Sequence, residues 1–144
     1  MAQATKSIVI NVTPEQLFDI INDFAKYPEF LPEVKKTAVA DAGGAKDVTY
    51  TIEIMGKAVS YTLKHAGEKP NKATWTFVKG EMMKNNVGSW ALKAVPGGTE
   101  ATYTIDLKLG TFVPGFVEKA LAETSLPALL DNFKKRAEKL HPKA

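Results

Sequence analysis

A chain of 144 residues is long enough to bury about two thirds of the surface its unfolded form exposes, so a single sizeable core is expected. Its 44% hydrophobic and 24% charged content is ordinary for a globular protein, and no apolar run approaches the roughly 20 residues of a membrane span. The absence of cysteine excludes disulfide frameworks, thiolate metal sites and cysteine nucleophiles. The formal charge is only +3 and Arg136 is the sole arginine, a poor supply of the bidentate donors that sequence-specific nucleic-acid readout favours.

The opening MAQATKSIVINVTPEQ lacks a basic segment followed by an apolar core, which argues against a secretory signal and makes the cytoplasm the default compartment. Ile8, Ile10 and Val12 alternate with Ser7, Val9 and Asn11, predicting a first strand with one buried face. Thr13-Pro14-Glu15-Gln16 then predicts a helix start, with threonine as N-cap, proline at the first helical position and glutamine completing a capping box. Leu17, Phe18, Ile20 and Ile21 give this helix an apolar side to about Asn22 or Asp23.

Next along the chain is Phe24 to Lys36, FAKYPEFLPEVKK. Pro28 suits the start of one helical turn, Pro32 does not continue it, and the residue before each proline is biased toward extended backbone. Phe30 and Leu31 are thereby expected on a short rigid element that plugs a corner of the core.

Four turn signals come after it: Ala42-Gly43-Gly44, Met55-Gly56-Lys57, Gly67 to Asn71, and Pro96-Gly97-Gly98-Thr99. The gaps between them suit antiparallel hairpins. Val48, Tyr50, Ile52 and Ile54 share one parity, as do Val59, Tyr61 and Leu63, then Trp75 and Phe77, then Tyr103, Ile105 and Leu107. The opposite parity carries threonine and charge, the pattern of an antiparallel sheet with one solvated face. From about Pro114 to Leu140 a long helix is predicted. One stripe of it holds Phe116, Val117, Ala120, Leu121 and Thr124; a second, rotated stripe holds Leu126, Leu129, Leu130, Phe133, Ala137 and Leu140, with Pro127 bending the helix between them. Arg136, flanked by lysines and Glu138, is expected in solvent.

The order of elements resembles the START-like, helix-grip superfamily (SRPBCC), in which a curved antiparallel sheet wraps a long C-terminal helix. Three local runs support the likeness: Val12 to Phe18 entering the first helix, Asp23 to Pro32 after it, and Gly88-Ser89-Trp90-Ala91-Leu92 before the last hairpin. It is most similar to the branch holding polyketide cyclase/dehydrase-like proteins, coenzyme Q-binding proteins and a bacterial ribosome-association toxin. The resemblance implies an α+β fold: a curved seven-stranded antiparallel sheet around the C-terminal helix, with one or two short helices after strand 1. It implies a single START-like domain over residues 1–144 with a frayed tail at 141–144, and an internal cavity for a hydrophobic molecule. It also implies that the Phe24–Lys36 segment stands at the cavity mouth, opposite Thr111-Phe112-Val113-Pro114-Gly115-Phe116; a plug that opens is a gate.

Inward parity and the resemblance together nominate ligand-binding residues. They are Phe30 and Leu31 on the proline-stiffened segment; Tyr50, Ile52, Tyr61, Leu63 and His65 on the first hairpin; Trp75, Phe77, Asn86, Trp90 and Tyr103 beyond it; and Phe116, Ala120 and Leu121 on the last helix. Each has a plainer reading. The three tyrosines and two tryptophans suit a filled core as well as a pocket. His65 is either a partly buried structural residue or a general acid/base, and Asn86 either meets a ligand carbonyl or marks a bulge. No catalytic set, metal site or cofactor is expected. Burying roughly 300 Å² of apolar ligand surface yields on the order of 7 kcal/mol, comparable to the cost of association. A carrier or sensor of a greasy ligand such as an isoprenoid quinone, lipid or polyketide-like compound, exchanging it by transient membrane contact, fits this lining better than an enzyme. A polyketide aromatase/cyclase or dehydratase is the first alternative, and a ribosome-binding module the second.

Overall fold

The computed structural model describes residues 2–111 and 113–142. Seven strands, β1 (Ala2–Ile10), β2 (Val34–Ala42), β3 (Ala45–Ile54), β4 (Lys57–Glu68), β5 (Lys72–Gly80), β6 (Met83–Val95) and β7 (Gly98–Leu109), form one antiparallel sheet in the order β1-β7-β6-β5-β4-β3-β2. The first two strands therefore occupy opposite edges. The connection between them must cross the whole sheet, and it does so with α1 (Pro14–Ile21), a 3₁₀ turn at Phe24–Lys26 and the single-turn α2 (Tyr27–Phe30).

The local chemistry accounts for these elements. Thr13 accepts from the Gln16 amide at 3.2 Å while Gln16 accepts from the Thr13 amide at 3.0 Å, the expected capping box. Leu17, Ile20 and Ile21 are buried. In α2, Pro28 lies in the first turn and Leu31 is already extended, so the helix stops where Pro32 requires. On the solvated face of the sheet, hydroxyl pairs form rungs across strands: Thr49 with Thr62 at 2.8 Å, Thr51 with Ser60 at 3.0 Å, Ser7 with Thr102 at 2.7 Å. The opposite face holds the core, including Val48, Ile54, Val59, Leu92 and Ala101.

Four of the five hairpin turns lie at the predicted glycine or proline signals. The fifth, between β5 and β6, uses Glu81 and Met82, and Met82 itself adopts φ 55°, so no glycine at the turn's centre marks it. β5 and β6 pair only from Lys72 with Ala91 to Trp75 with Gly88.

The C-terminal segment is segmented: α3 (Gly115–Lys119), a π-helical turn at Ala120–Thr124, and α4 (Leu126–Leu140). The Ser125 amide reaches back five residues to the Ala120 carbonyl at 2.9 Å, and the Ser125 hydroxyl bonds the same oxygen. The extra residue in this turn rotates α4 relative to α3, and π turns recur at functional positions. It changes the expected first stripe in part. Phe116 is 74% exposed and Ala122 is buried, whereas Val117 and Leu121 pack against the core as expected. The second stripe holds from Leu126 to Ala137, with Leu126, Leu130, Phe133 and Ala137 buried, but its last member, Leu140, is 49% exposed. Arg136 also departs from expectation. Its side chain is only 19% exposed, pairs with Glu29 at 3.1 Å and lies 5.2 Å over the Phe30 ring, tying α2 to α4. The Phe24–Lys36 segment thus packs on the middle of α4; Phe112 of the stretch expected opposite it, and Lys143 and Ala144 of the expected frayed tail, lie outside the described residues.

Candidate functional site

Between the concave face of the sheet and the C-terminal helix lies a cavity of about 170 Å³. Strand parity supplies most of its wall: Tyr50 and Ile52 from β3, Tyr61, Leu63 and His65 from β4, Trp75 from β5, Asn86 and Trp90 from β6, Tyr103, Ile105 and Leu107 from β7. Leu121, Ala122, Leu126, Leu129 and Phe133 close it from the helical side, and Ile21, Tyr27, Leu31 and Val34 from the crossing segment. The exposed lining residues Glu33, Glu53 and Ser125 mark the surface end.

The aromatic side chains form a connected wall. Tyr50 and Tyr61, cross-strand partners, stack at 5.2 Å; Tyr103 lies 5.2 Å from Trp75 and 5.0 Å from Trp90; Trp90 meets Phe133 edge-on at 5.0 Å. Most polar atoms here already have partners. The Trp75 indole N–H donates to Asn86 Oδ1 at 2.8 Å, so the Asn86 carbonyl supports Trp75, while its Nδ2 faces Met83 Sδ at 3.9 Å. The Tyr27 hydroxyl donates to the Ile21 carbonyl. Tyr50 O–H and His65 Nε2 are 2.7 Å apart. Burial lowers His65 from 6.5 to about 4 and holds Tyr50 protonated by raising its pKa. The imidazole is therefore neutral at pH 7, with Nε2 engaged by the phenol. Two hydroxyls differ from these: those of Tyr61 and Tyr103 make no hydrogen bond among the described residues. Burial raises the pKa of both phenols, and the Glu33 carboxylate pushes in the same direction, so both remain O–H donors.

Neither His65, lowered to about 4, nor the buried tyrosines, raised above their ordinary value, titrates near neutrality as a general acid/base should. Between about pH 6.5 and 4 the unfolded chain binds a proton at His65 that the folded protein does not, so stability should fall as the pH falls through that window. Melting temperatures recorded from pH 7.5 to 4 should show the slope, and His65→Gln should reduce it; a slope that survives the substitution belongs to other groups.

Of the nominated residues, Leu31, Tyr50, Ile52, Tyr61, Leu63, His65, Trp75, Asn86, Trp90, Tyr103 and Leu121 line the cavity, and four do not. The Phe30 ring turns outward onto Phe133, at 5.1 Å, and Arg136. Phe77 follows a register shift opposite Thr62 and Leu63 and stays half-buried beside Gly80 and Tyr61. Phe116 and Ala120 are taken out of the wall by the π turn. Tyr27, Glu33, Met83 and Phe133 join the lining without having been nominated.

Residues 1–138 match the model of a family described as "Polyketide cyclase / dehydrase and lipid transport". The chain belongs to this family. The polyketide cyclase/dehydrase fold is equally plain in solved structures. A START superfamily protein from Mycobacterium smegmatis superimposes with a TM-score of 0.84 at 21% identity, covering 97% of this chain and 99% of that one. The Zhui aromatase/cyclase from a Streptomyces species gives 0.82 at 14% identity, covering 95% and 93%. A STAR-related lipid transfer protein fragment from Xanthomonas axonopodis gives 0.80 at 12% identity, covering 94% and 85%. Among curated proteins, the ribosome association toxin RatA of Vibrio cholerae is 32% identical over 62 residues. That alignment takes in 43% of this chain and spans 42% of the toxin's length. No helix among the described residues is long and apolar enough to cross a membrane.

Proposed function

We propose that this polyketide cyclase/dehydrase-family protein is a non-catalytic carrier or sensor that holds a hydrophobic small molecule in the cavity beneath α4. The observation that carries this reading is an aromatic wall with two phenol donors unpartnered among the described residues, in a site whose histidine is held neutral by burial. Ligand pockets usually measure about 300–1,000 Å³, so a space of about 170 Å³ suits one compact ring system. A longer isoprenoid or acyl chain would extend past Glu33 and Ser125, where transient contact with a membrane would allow exchange. Native mass spectrometry of protein purified from its own cell should show a bound mass in the range of a small lipid or ring compound. Protein that is consistently empty, and that also fails to bind neutral ring compounds added at micromolar to millimolar concentration, would refute the proposal.

The aromatase/cyclase reading keeps one point in its favour: His65, Tyr61 and Asn86 do converge on one cavity. Against it, Asn86 is committed to Trp75, and His65 is capped by Tyr50 with its ring 4.3 Å from that of Phe24. Incubation with a poly-β-ketone should leave that compound unchanged. The 62-residue likeness to the ribosome association toxin supports a further alternative, ribosome binding through the lysine-rich surface. Such binding should weaken steeply with salt, and failure to co-sediment with ribosomes at low salt would remove it.

A further inference from the structure

We infer that the cavity discriminates by charge, accepting a neutral ring compound that presents a hydrogen-bond acceptor and rejecting the same ring when it carries a carboxylate. The inference rests on the binding function proposed above and adds the residues that set selectivity.

Three observations converge. First, the lining includes no lysine or arginine, so an anion entering it would lose its hydration without gaining a counter-charge. His65 does not supply one, because its Nε2 is occupied by Tyr50 at 2.7 Å and its ring lies between Phe24, at 4.3 Å, and Trp75, at 6.0 Å. Second, both charged residues of the lining, Glu33 and Glu53, are acidic and exposed, so the cavity's own charged groups offer an incoming anion repulsion rather than a partner. Third, Tyr61 on β4 and Tyr103 on β7 offer hydroxyls that no described residue uses. Phenol donors would ordinarily welcome a carboxylate. Here the Glu33 charge is close enough to disfavour a negative charge on either phenol, and the same field acts on an anion hydrogen-bonded to them. A ketone oxygen carries no net charge and escapes both costs.

Isothermal titration with three naphthalenes of similar size tests this: 2-acetonaphthone, 2-naphthoate and 2-ethylnaphthalene, at low ionic strength and pH 7.5. The ketone should bind tightest, the hydrocarbon about 3- to 10-fold more weakly, and the carboxylate weaker than the ketone by about 10-fold or more. Glu33→Gln should narrow the ketone-to-carboxylate ratio several-fold, and Tyr61→Phe/Tyr103→Phe should bring the ketone down to the hydrocarbon's affinity. Equal binding of ketone and carboxylate by the unmodified protein overturns the inference without any variant, as does a ratio unmoved by Glu33→Gln in protein whose melting temperature is preserved. Failure of all three probes, the hydrocarbon included, overturns the binding function itself and this inference with it.

Discussion

Phe133→Ala should destabilise the protein by about 3–5 kcal/mol, seen as a fall of roughly 10–15 °C in the melting temperature. Phe133 is 2% exposed and occupies the point where helix, crossing segment and sheet meet. Its ring makes edge-on contacts with Tyr27 at 5.6 Å, Phe30 at 5.1 Å and Trp90 at 5.0 Å. Pairs of this geometry contribute about 0.5–1.5 kcal/mol each beyond area burial. Removing the ring also leaves α2 without its main apolar neighbour on α4, while the Arg136–Glu29 pair that remains is half-exposed on the carboxylate side and holds little by itself. The void would merge with the existing cavity, so the same variant should accept a bulkier ring compound than the unmodified protein does. A melting temperature within about 3 °C of the original would mean that the helix is held elsewhere.

The sheet and much of the cavity wall were legible from sequence because half-buried antiparallel strands alternate strictly. Tyr50, Tyr61, Trp75, Trp90 and Tyr103 occupy inward parities, and all of them line the cavity. The single turn of α2 was equally legible, since two prolines four residues apart both start and end it. The features that escaped did so for identifiable reasons. The π turn at Ala120–Thr124 contains no breaker, and Pro127, the visible irregularity, lies in the first turn of α4, where proline is tolerated. One extra residue rotates a helix face by about 100°, enough to put Phe116 outside and Ala122 inside. The Glu29–Arg136 contact joins residues 107 apart, beyond any local pattern. Asn86 was placed on the correct face, but its bond to Trp75 depends on the approach of two particular side chains, which parity does not encode. Glu33 sits between Pro32 and the first residue of β2, where neither helix nor strand periodicity says which way a carboxylate points.

Gly88→Ala should have an effect out of proportion to one methyl group. Gly88 pairs with Trp75 on one side and Ile105 on the other, and the Trp75 ring lies across it. A Cβ at this position would stand 2.2 Å from Trp75 Cζ2 and 2.3 Å from the Thr104 carbonyl oxygen. Glycine ordinarily weakens a strand, so its presence in mid-strand here reflects that close approach. The indole could swing away, but the carbonyl belongs to the β6–β7 ladder and moves only if the ladder does. Moving the indole breaks its bond to Asn86 and leaves that buried amide oxygen unsatisfied, at about 1–3 kcal/mol, in addition to about 1–3 kcal/mol for overpacking. The expected loss is about 2–6 kcal/mol, with a shift in tryptophan fluorescence as Trp75 leaves its site. Adding Trp75→Leu separates the two clashes. If the ring is the main obstacle, the double variant regains part of the stability relative to Gly88→Ala; if the Thr104 carbonyl is, it regains none, and β6 must have shifted against β7. Either way the wall between Asn86 and Tyr103 is displaced, so affinity for a ring compound should fall together with stability. A variant that melts normally and binds normally would show that Trp75 has an alternative position open to it and that Gly88 is not what fixes the indole over the cavity.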